Sequence, residues 1–268
     1  MNRNLALITG ASSGIGKSFA YKFASLGYDL LLIGRREYLL KEICNDISKK
    51  YSVNAEYMIL ELSNDNDVNR LLSRMEQMNN LEILINNAGF GLDNDFINST
   101  LDKNIEMIKV HDILPVKLIY SAIPLLKDKV NPAIINVSSI ASFLISPGNE
   151  MYCASKAFLT SFSESLSLSL KKHNIKVQVL CPGFTLTDFH AKLGYDANDP
   201  ILKKFMSSDK VVEISLKYLK KGRVICIPGL LYKLVKIFIN LIPRKIFYKL
   251  VLFYSKRNSL VNKINERD

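Results

Sequence analysis

The sequence predicts an α/β fold, a single doubly wound domain with a mostly parallel sheet, and three observations support this prediction. Short apolar runs alternate with helical segments of roughly 10–20 residues, which is typical of consecutive βαβ units. The runs are continuously apolar, as expected for parallel strands that helices cover on both faces. No linker, repeat or low-complexity segment divides the 268 residues, a length that one α/β domain commonly reaches.

Six buried strands and the helices between them can be placed in order. Each strand is a short apolar run, and each helix repeats its apolar residues at helical spacing. The predicted strands are Leu5–Thr9, Leu30–Ile33, Glu56–Leu60, Leu81–Asn86, Ala133–Val137 and Lys176–Cys181. The predicted helices are Gly14 to about Leu26, Tyr38 to about Tyr51, Asn66 to Met78, a long stretch before Ala133, and Tyr152 to His173.

The regular alternation of strands and helices stops after Cys181, where Pro182 and Gly183 end the last of these strands. Residues 184–210 are predicted to form a substrate loop, because open α/β sheets bind ligands at the carboxyl ends of their strands. A helix near Val211–Lys221 and a short strand, Arg223–Ile227, are expected next. The tail, residues 229–262, is predicted to be a helical C-terminal extension that is both apolar and basic.

The composition excludes several classes of protein. Hydrophobic residues make up 48% of the chain and charged residues 23%, which excludes a disordered protein. The first apolar strand begins at Leu5, which leaves no room for an export signal, so a cytoplasmic location is expected. The net charge of +11 comes without a basic, aromatic-interleaved motif, so no specific nucleic-acid binding is expected. The cysteines form no C-x-x-C pair, which favours reduced thiols and no metal site: Cys44, Cys153, Cys181 and Cys226.

A glycine-rich turn lies directly between the first strand and the first helix. Small residues let the backbone turn sharply and approach a ligand, and the helix N-terminus offers free N–H groups at the positive end of its dipole. This geometry suits a diphosphate, with an ordinary strand–helix turn as the alternative. The predicted cofactor contacts here are Gly10, Ser12, Ser13, Gly14, Ile15 and Gly16.

Tyr152 and Lys156 lie four residues apart in a predicted helix, so both side chains can face one pocket. A free tyrosine titrates near ~10, but a neighbouring cation favours the phenolate and lowers this pKa. The pair is therefore a candidate proton donor with its activating cation. A solvated helix surface is the alternative, because such pairs are common.

Three motifs together resemble the short-chain dehydrogenase/reductase family over about residues 4–190. They are the Thr-Gly-x-x-x-Gly-x-Gly turn, Asn86-Asn87-Ala88-Gly89 after the fourth strand, and the Tyr-x-x-x-Lys pair. The glycine spacing differs from the common G-x-G-x-x-G fingerprint, and this spacing is similar to that of the family. The resemblance implies a Rossmann domain with about seven strands. It also implies an oxidoreductase that transfers hydride between NAD(H) or NADP(H) and a carbonyl or secondary alcohol.

The resemblance also implies roles for the catalytic candidates. Ser139 matches the serine that holds the substrate carbonyl oxygen, with Ser138 as the alternative register. Tyr152 would protonate that oxygen, and Lys156 would lower the pKa of Tyr152 and hold the nicotinamide ribose. His111 stands where the family has an asparagine. It is predicted either to hold a water relay behind Lys156, with a charge that changes between about pH 5 and 8, or only to pack in its helix.

The end of the second strand favours NADP(H) over NAD(H). NAD sites place a carboxylate here for the ribose 2′-hydroxyl, whereas this strand ends in Gly34-Arg35-Arg36. Arg35 offers a cationic fork for a 2′-phosphate, and Arg36 and Lys17 would add positive potential. By resemblance, the remaining cofactor contacts are Leu62 and Asn86 near the adenosine, and Thr185 and Thr187 near the nicotinamide, together with Tyr152 and Lys156.

The C-terminal extension allows two interpretations, and both favour an apolar ketone or aldehyde as the substrate. The extension could cap the substrate cleft and supply a subunit interface, or it could lie on an anionic membrane surface with its basic residues at the headgroups. A homodimer or homotetramer is expected. The alternative to an enzyme is a non-catalytic protein that binds NADP as a sensor or interaction partner.

Overall fold

A parallel sheet lies at the centre of the fold. The computed structural model describes residues 3–92, 95–186 and 205–253. The strands are β1 (Leu5–Thr9), β2 (Asp29–Gly34), β3 (Ala55–Ile59), β4 (Leu81–Asn86), β5 (Ala133–Val137), β6 (Lys176–Leu180), β7 (Thr185–Leu186), β8 (Met206–Ser207) and β9 (Ile225–Cys226). The helices are α1 (Gly14–Ser25), α2 (Glu37–Tyr51), α3 (Asp65–Glu76), α4 (Leu101–Ile108), α5 (Leu114–Leu126), α6 (Glu150–Leu170), α7 (Ser208–Lys220), α8 (Leu230–Leu241) and α9 (residues 244–253).

The predicted doubly wound Rossmann fold is confirmed. Across the described part of the chain, seven strands pair in parallel in the order β3-β2-β1-β4-β5-β6-β9. The chain moves outward from β1 to β3 and then returns to the other side of β1 at β4. The carboxyl ends of β1 and β4 are therefore adjacent where the winding reverses, and such a point is where open α/β sheets form a ligand crevice.

Two cores cover the sheet, because successive side chains of a strand point to opposite faces. Ile8 and Leu32 pack in a core with residues of α1, α2 and α7. Their neighbours Leu7 and Leu31 pack in the other core with residues of α3, α5 and α6. Burial on both faces explains why the strands are continuously apolar rather than alternating.

A π-helical turn, Lys109–Ile113, joins α4 to α5 and has a local cause. Pro115 has no N–H to donate to the carbonyl of His111, four residues earlier, so the regular hydrogen-bond ladder cannot continue. Instead, the Leu114 N–H donates to the carbonyl of Lys109, five residues earlier. Such turns are frequent at functional sites, and this one brings His111 and its neighbour into the interior.

The region after β6 differs from the predicted loop. The strand β7 pairs in parallel with β8, and α7 then begins at Ser208, inside the predicted loop range. The strand β9 is shorter than predicted, because it pairs with β6 only at Val179 and Leu180. Residues 187–204 lie outside the described residues, and the predicted contact Thr187 is among them.

The C-terminal extension forms two helices, as predicted. The helix α8 ends at Leu241, and α9 follows Pro243. The last predicted part of the extension, residues 254–262, is outside the described residues. None of the helices in the described ranges combines the length and the apolar character that crossing a membrane requires.

Candidate active site

A cleft of about 770 Å³ opens at the carboxyl ends of β1, β4, β5 and β6. This is where the direction of winding reverses in the sheet. The lining includes the glycine-rich turn, the Tyr152–Lys156 pair and residues 183–185. The volume lies in the range of pockets that hold cofactors and small molecules.

The glycine-rich turn forms a close backbone cradle. Gly10 and Gly14 have positive φ angles of 65° and 52°, a region that residues with a side chain rarely adopt. A Cβ atom at Gly16 would overlap the carbonyl oxygen of Gly10. The Asn87 side chain fixes the turn, because its Nδ2 donates to the carbonyls of Thr9 and Gly10 at 3.0 Å each.

The start of α1 completes this cradle. Ser13 stands at the N-cap without a side-chain capping bond, and the first turn contains no acidic residue. The first N–H groups of α1 and the positive end of its dipole are therefore available to a phosphate. Ser13, Gly14 and Ile15 line the cleft, whereas Ser12 does not. These groups fit the diphosphate of a dinucleotide.

Two arginine side chains lie next to the cradle and have different partners. The Arg36 guanidinium donates to the hydroxyls of Ser13 at 2.6 Å and Ser12 at 3.0 Å. Arg35 instead donates to the Glu61 carboxylate at 3.1 Å. Burial tends to raise the pKa of Glu61, but its hydrogen bonds with Arg35 and with Ser63 hold that pKa below its usual value. Arg36 is thus the arginine that contacts the glycine-rich turn, although the sequence predicted only that it would add positive potential.

Ser139 and Tyr152 form a pair of hydroxyls in the cleft. Their side chains are hydrogen-bonded to each other, and the Ser139 hydroxyl also accepts from the Ala141 N–H at 3.1 Å. Burial raises the pKa of Tyr152 to about 12, and the hydrogen bond from Ser139 opposes this shift. Burial thus leaves the pKa of Tyr152 above its usual value, whereas the sequence analysis expected a net shift towards neutrality.

Ser138 has a structural role rather than a place beside Tyr152. Its hydroxyl donates to the Lys156 carbonyl at 2.9 Å and lies 2.9 Å from the Thr160 hydroxyl. Both contacts tie the end of β5 to α6. The structure therefore favours Ser139 over the alternative register.

The Lys156 ammonium is buried behind Tyr152. It donates to the Val137 carbonyl at 3.2 Å and lies 5.7 Å from the centre of the Tyr152 ring. Burial lowers the pKa of Lys156 to about 8, because a charged ammonium loses its hydration, whereas the nearby carboxylate of Asp112 opposes this shift. Among the described residues that line the cleft, Lys156 alone carries a charge.

His111 lies in the site, but its contacts do not match the predicted relay. Its Nε2 accepts from the Phe90 N–H at 3.0 Å, so the ring proton is on Nδ1, which lies 3.0 Å from the Ser155 hydroxyl. The Ser155 hydroxyl in turn donates to the Tyr152 carbonyl. Because protein groups occupy both ring nitrogens, neither is left to hold a relay water behind Lys156.

The predicted pH dependence of His111 is also wrong. Burial, together with the charge of Lys156, lowers the pKa of His111 well below its usual value. The imidazole therefore stays neutral near neutrality. Its place in the fold is to hold the backbone at Phe90 and to orient the start of α6 through Ser155.

Asp112 is a site residue that the sequence analysis missed. The residue is 9% exposed, and its Oδ1 atom has no hydrogen-bond partner among the described residues. Burial raises the pKa of Asp112 to about 7, and the charge of Lys156 opposes this rise. An acidic residue beside His111, directly before the apolar pair Ile113 and Leu114, was the available signal.

The other predicted cofactor contacts have mixed outcomes. Thr185 lines the cleft, and its hydroxyl donates to the Gly183 carbonyl at 3.0 Å. Asn86 is buried and donates to the Asn136 side chain, and Leu62 packs in a core, so neither lines the cleft. Asn87, the next residue of the same motif, lines the cleft. The reason is that consecutive residues at a strand end point to opposite faces.

Comparison with known proteins supplies the family. The family model for short chain dehydrogenases matches residues 4–198. The chain belongs to the short-chain dehydrogenase family. Membership makes the protein an oxidoreductase with a nicotinamide cofactor, which the cradle and the cleft accommodate.

Several relatives of this short-chain dehydrogenase are similar over most of its length. The 3-oxoacyl-[acyl-carrier-protein] reductase FabG of Rickettsia prowazekii (strain Madrid E) is 35% identical over 203 residues, 74% of this chain and 80% of that protein. The very-long-chain 3-oxoacyl-CoA reductase of Debaryomyces hansenii is 32% identical over 216 residues, 76% of this chain and 62% of that protein. A solved short-chain dehydrogenase from Sphingobium yanoikuyae in complex with NADPH has a TM-score of 0.79 and 30% identity, and covers 85% of this chain and 88% of its own.

In this short-chain dehydrogenase, α8 forms part of the cleft although it lies beyond the family match. The Tyr232 hydroxyl accepts from the Phe184 N–H at 3.1 Å, and its ring covers Gly183 so closely that no Cβ atom would fit there. Lys233 donates to the Tyr218 hydroxyl at 2.6 Å, and Lys236 lies 4.7 Å from the Phe143 ring centre. The helix therefore bridges the segments that follow β5 and β6, and no sequence motif indicated this contact.

The packing of Tyr232 on Gly183 gives a testable prediction. Gly183 does not require a positive φ, so Gly183→Ala should destabilise the protein through overlap with the ring alone, by about 1–3 kcal/mol. In a Tyr232→Ala background the same substitution should cost little, because the ring is gone. Urea unfolding of the four proteins in this double-mutant cycle measures the coupling. Strictly additive effects would contradict the contact.

Proposed function

We propose that this protein reduces an uncharged, apolar ketone or aldehyde with NADPH as the hydride donor. The observation that carries the proposal is the arrangement of the Ser139 and Tyr152 hydroxyls beside the buried Lys156 ammonium. The rest of the cleft wall is largely apolar, and its larger apolar side chains are Phe90, Leu92, Ile140, Leu144, Phe184 and Val235. A wall of this kind favours a substrate without charges near the reacting carbonyl.

The proposed mechanism gives each hydroxyl one task. The cofactor, when bound, supplies the hydride that the carbonyl carbon accepts. The Ser139 hydroxyl donates a hydrogen bond to the carbonyl oxygen and holds it in place. The Tyr152 hydroxyl transfers its proton to that oxygen as the carbonyl becomes an alcohol.

Lys156 favours the phenolate that remains on Tyr152 after this transfer. Its ammonium is close to the ring and shielded from water, where a charge acts more strongly than in solvent. This effect needs a protonated lysine, although burial moves the pKa of Lys156 down to about 8. Asp112 supplies the opposing charge that helps to keep the lysine protonated.

Two features support NADP(H) as the preferred cofactor. Arg35 and Arg36 follow β2, and Arg36 lies over the hydroxyls of the glycine-rich turn. The similar protein from Sphingobium yanoikuyae was solved in complex with NADPH. Glu61, which pairs with Arg35, would have to share that guanidinium with a 2′-phosphate.

The relatives support a substrate class. Two proteins similar over about three quarters of this chain are reductases of 3-oxoacyl groups, one on acyl-carrier protein and one on coenzyme A. We propose a carbonyl compound with an apolar chain, which agrees with the apolar wall of the cleft. The reverse reaction, oxidation of a secondary alcohol, uses the same groups. A panel of ketones, aldehydes and 3-oxoacyl thioesters, assayed with NADPH and with NADH, tests the proposed activity.

We also propose a cytoplasmic homodimer or homotetramer. Members of this family are typically oligomeric, and large apolar side chains are exposed on α5 and α6, among them Val116, Tyr120, Phe158 and Leu168. All four cysteines are free thiols, as expected for a reducing compartment. Sedimentation velocity tests the assembly.

The first prediction from this function concerns Tyr152→Phe. This variant should bind NADPH normally, because the lost hydroxyl serves proton transfer, and its kcat should fall by ~10²–10⁴-fold. Cofactor fluorescence titration and steady-state turnover measure the two effects. Tyr120→Phe, at an exposed tyrosine, is the matched control. Undiminished turnover in Tyr152→Phe would exclude Tyr152 as the proton donor, whereas NADPH binding without turnover in the unmodified protein would favour the alternative of a non-catalytic NADP-binding sensor.

The second prediction concerns cofactor choice. Arg35→Asp and Arg36→Ala should each weaken NADPH binding by about tenfold or more, because each loses a charged contact with the 2′-phosphate. Binding of NADH, which lacks that phosphate, should change little in Arg36→Ala. Dissociation constants for both cofactors measure this, with Arg70→Ala as the control arginine. Tighter binding of NADH than of NADPH by the unmodified protein would overturn the preference.

The third prediction concerns pH. Asp112 favours the protonated form of Lys156, so Asp112→Asn should lower the pKa of Lys156 further. Activity needs the ammonium, so its loss at high pH should begin about 1 unit lower in the variant. The other titratable groups near Lys156 are Tyr152, Cys181 and His111.

The pH–kcat profile of Asp112→Asn tests this effect against Asp65→Asn. Asp65 is an exposed carboxylate that pairs with Lys109 and Lys117, away from the cleft. The control should keep the profile of the unmodified protein. An identical alkaline limb in all three proteins would exclude Asp112 as the counter-charge of Lys156.

A further inference from the structure

The helix α8 has two faces with different surroundings. Tyr232 and Val235 point towards the cleft and line it. The opposite side carries six large apolar side chains, which are 54–77% exposed. They recur at the i, i+4, i+7 and i+11 spacing of a single helical stripe. We name this stripe the outer apolar face, and its residues are Leu230, Leu231, Leu234, Ile237, Phe238 and Leu241.

The charges near the outer apolar face are all of one sign. Residues 229–253 contain five basic residues and no Asp or Glu. Lys233 and Lys236 turn towards the protein, where they contact Tyr218 and Phe143. These two lysines are therefore not available to lipid headgroups on the outer side of the helix. The other three cations, Arg244, Lys245 and Lys249, are exposed in α9, which also exposes Ile246, Leu250, Leu252 and Phe253.

We infer that the outer apolar face docks on an anionic lipid surface. Exposed apolar stripes of this size mark interaction surfaces, and an apolar helix face flanked by cations suits the interface of an anionic bilayer. A second copy of the chain fits less well, because it would bring the same cations of α9 near this face without a carboxylate from residues 229–253 to pair with them.

The docking proposal extends to the substrate, and this part rests on the proposed function. The same helix lines the cleft with one face and would contact lipid with the other. A carbonyl compound dissolved in the membrane would therefore enter a cleft whose wall is already at the lipid surface. The substrate class that fits is a long-chain, membrane-partitioned ketone, aldehyde or 3-oxoacyl compound.

Vesicle co-sedimentation of the full chain tests the docking. The protein should sediment with vesicles of phosphatidylcholine mixed with phosphatidylglycerol, and less with phosphatidylcholine alone or at high salt. Leu234→Glu, in the outer apolar face, should abolish sedimentation. Leu26→Glu is the matched control, because Leu26 is 55% exposed against 54% for Leu234 and lies at the end of α1.

A second pair of variants tests the charges. Lys245→Glu combined with Lys249→Glu should reduce binding to the anionic vesicles. Lys41→Glu combined with Lys49→Glu makes the same change in net charge on α2, where both lysines are exposed, and should reduce binding much less. If the two double variants lost vesicle binding equally, the net charge of the protein alone would explain the loss. That result would overturn a specific docking face.

Two further measurements separate the possible outcomes. Sedimentation velocity of Leu234→Glu should show the same assembly as the unmodified protein, and dissociation into smaller species would identify a second copy as the occupant and overturn the proposal. Turnover of a short, soluble ketone should be unchanged in Leu234→Glu, whereas turnover of a vesicle-bound long-chain ketone should be lost. If no carbonyl is reduced but vesicle binding follows these predictions, the proposed function fails and the docking surface stands.

Discussion

The burial of the Lys156 ammonium is the constraint on which the rest of the site depends. A charge removed from water needs polar partners, and Lys156 has the Val137 carbonyl and the nearby carboxylate of Asp112. Gly89 leaves the space for this arrangement, because a Cβ atom there would lie 3.0 Å from His111 Nε2 and 3.4 Å from Lys156 Nζ. Small changes in these surroundings would alter the charge beside Tyr152.

The fold supplies these surroundings from distant parts of the chain. The π turn before Pro115 brings His111 and Asp112 behind α6, and the end of β5 provides the carbonyl that Lys156 contacts. Parallel winding places the ends of β1, β4, β5 and β6 together, so the phosphate cradle and the catalytic hydroxyls share one cleft. The helix α8 then closes that cleft through Tyr232, whose ring lies on Gly183.

The parts of the site that sequence reasoning found are those set by local spacing. The turn from Gly10 to Gly16 and the Tyr152–Lys156 pair each depend on a few consecutive residues, so the motif carries the geometry. The contacts of His111, Asp112 and Tyr232 depend instead on partners more than twenty residues away, and no local pattern reports them. The partners of Arg35 and Arg36 could not be predicted either. The order of the two residues along the chain does not indicate that Arg35 pairs with Glu61 and Arg36 with Ser12. The fold could be predicted from the repeated apolar runs, because a continuously apolar strand must be covered by helices on both faces of the sheet.

A label-transfer measurement tests directly whether NADPH and Tyr152 together reduce a carbonyl in this cleft. NADPH carrying deuterium at the transferable position of the nicotinamide is incubated with the protein and a carbonyl panel that includes long-chain 3-oxoacyl thioesters. Mass spectrometry then measures the deuterium content of each alcohol. The deuterium should appear in the product with the unmodified protein and be nearly absent with Tyr152→Phe. Equal transfer by both proteins, or binding of NADPH without transfer to any carbonyl, would contradict the proposed mechanism.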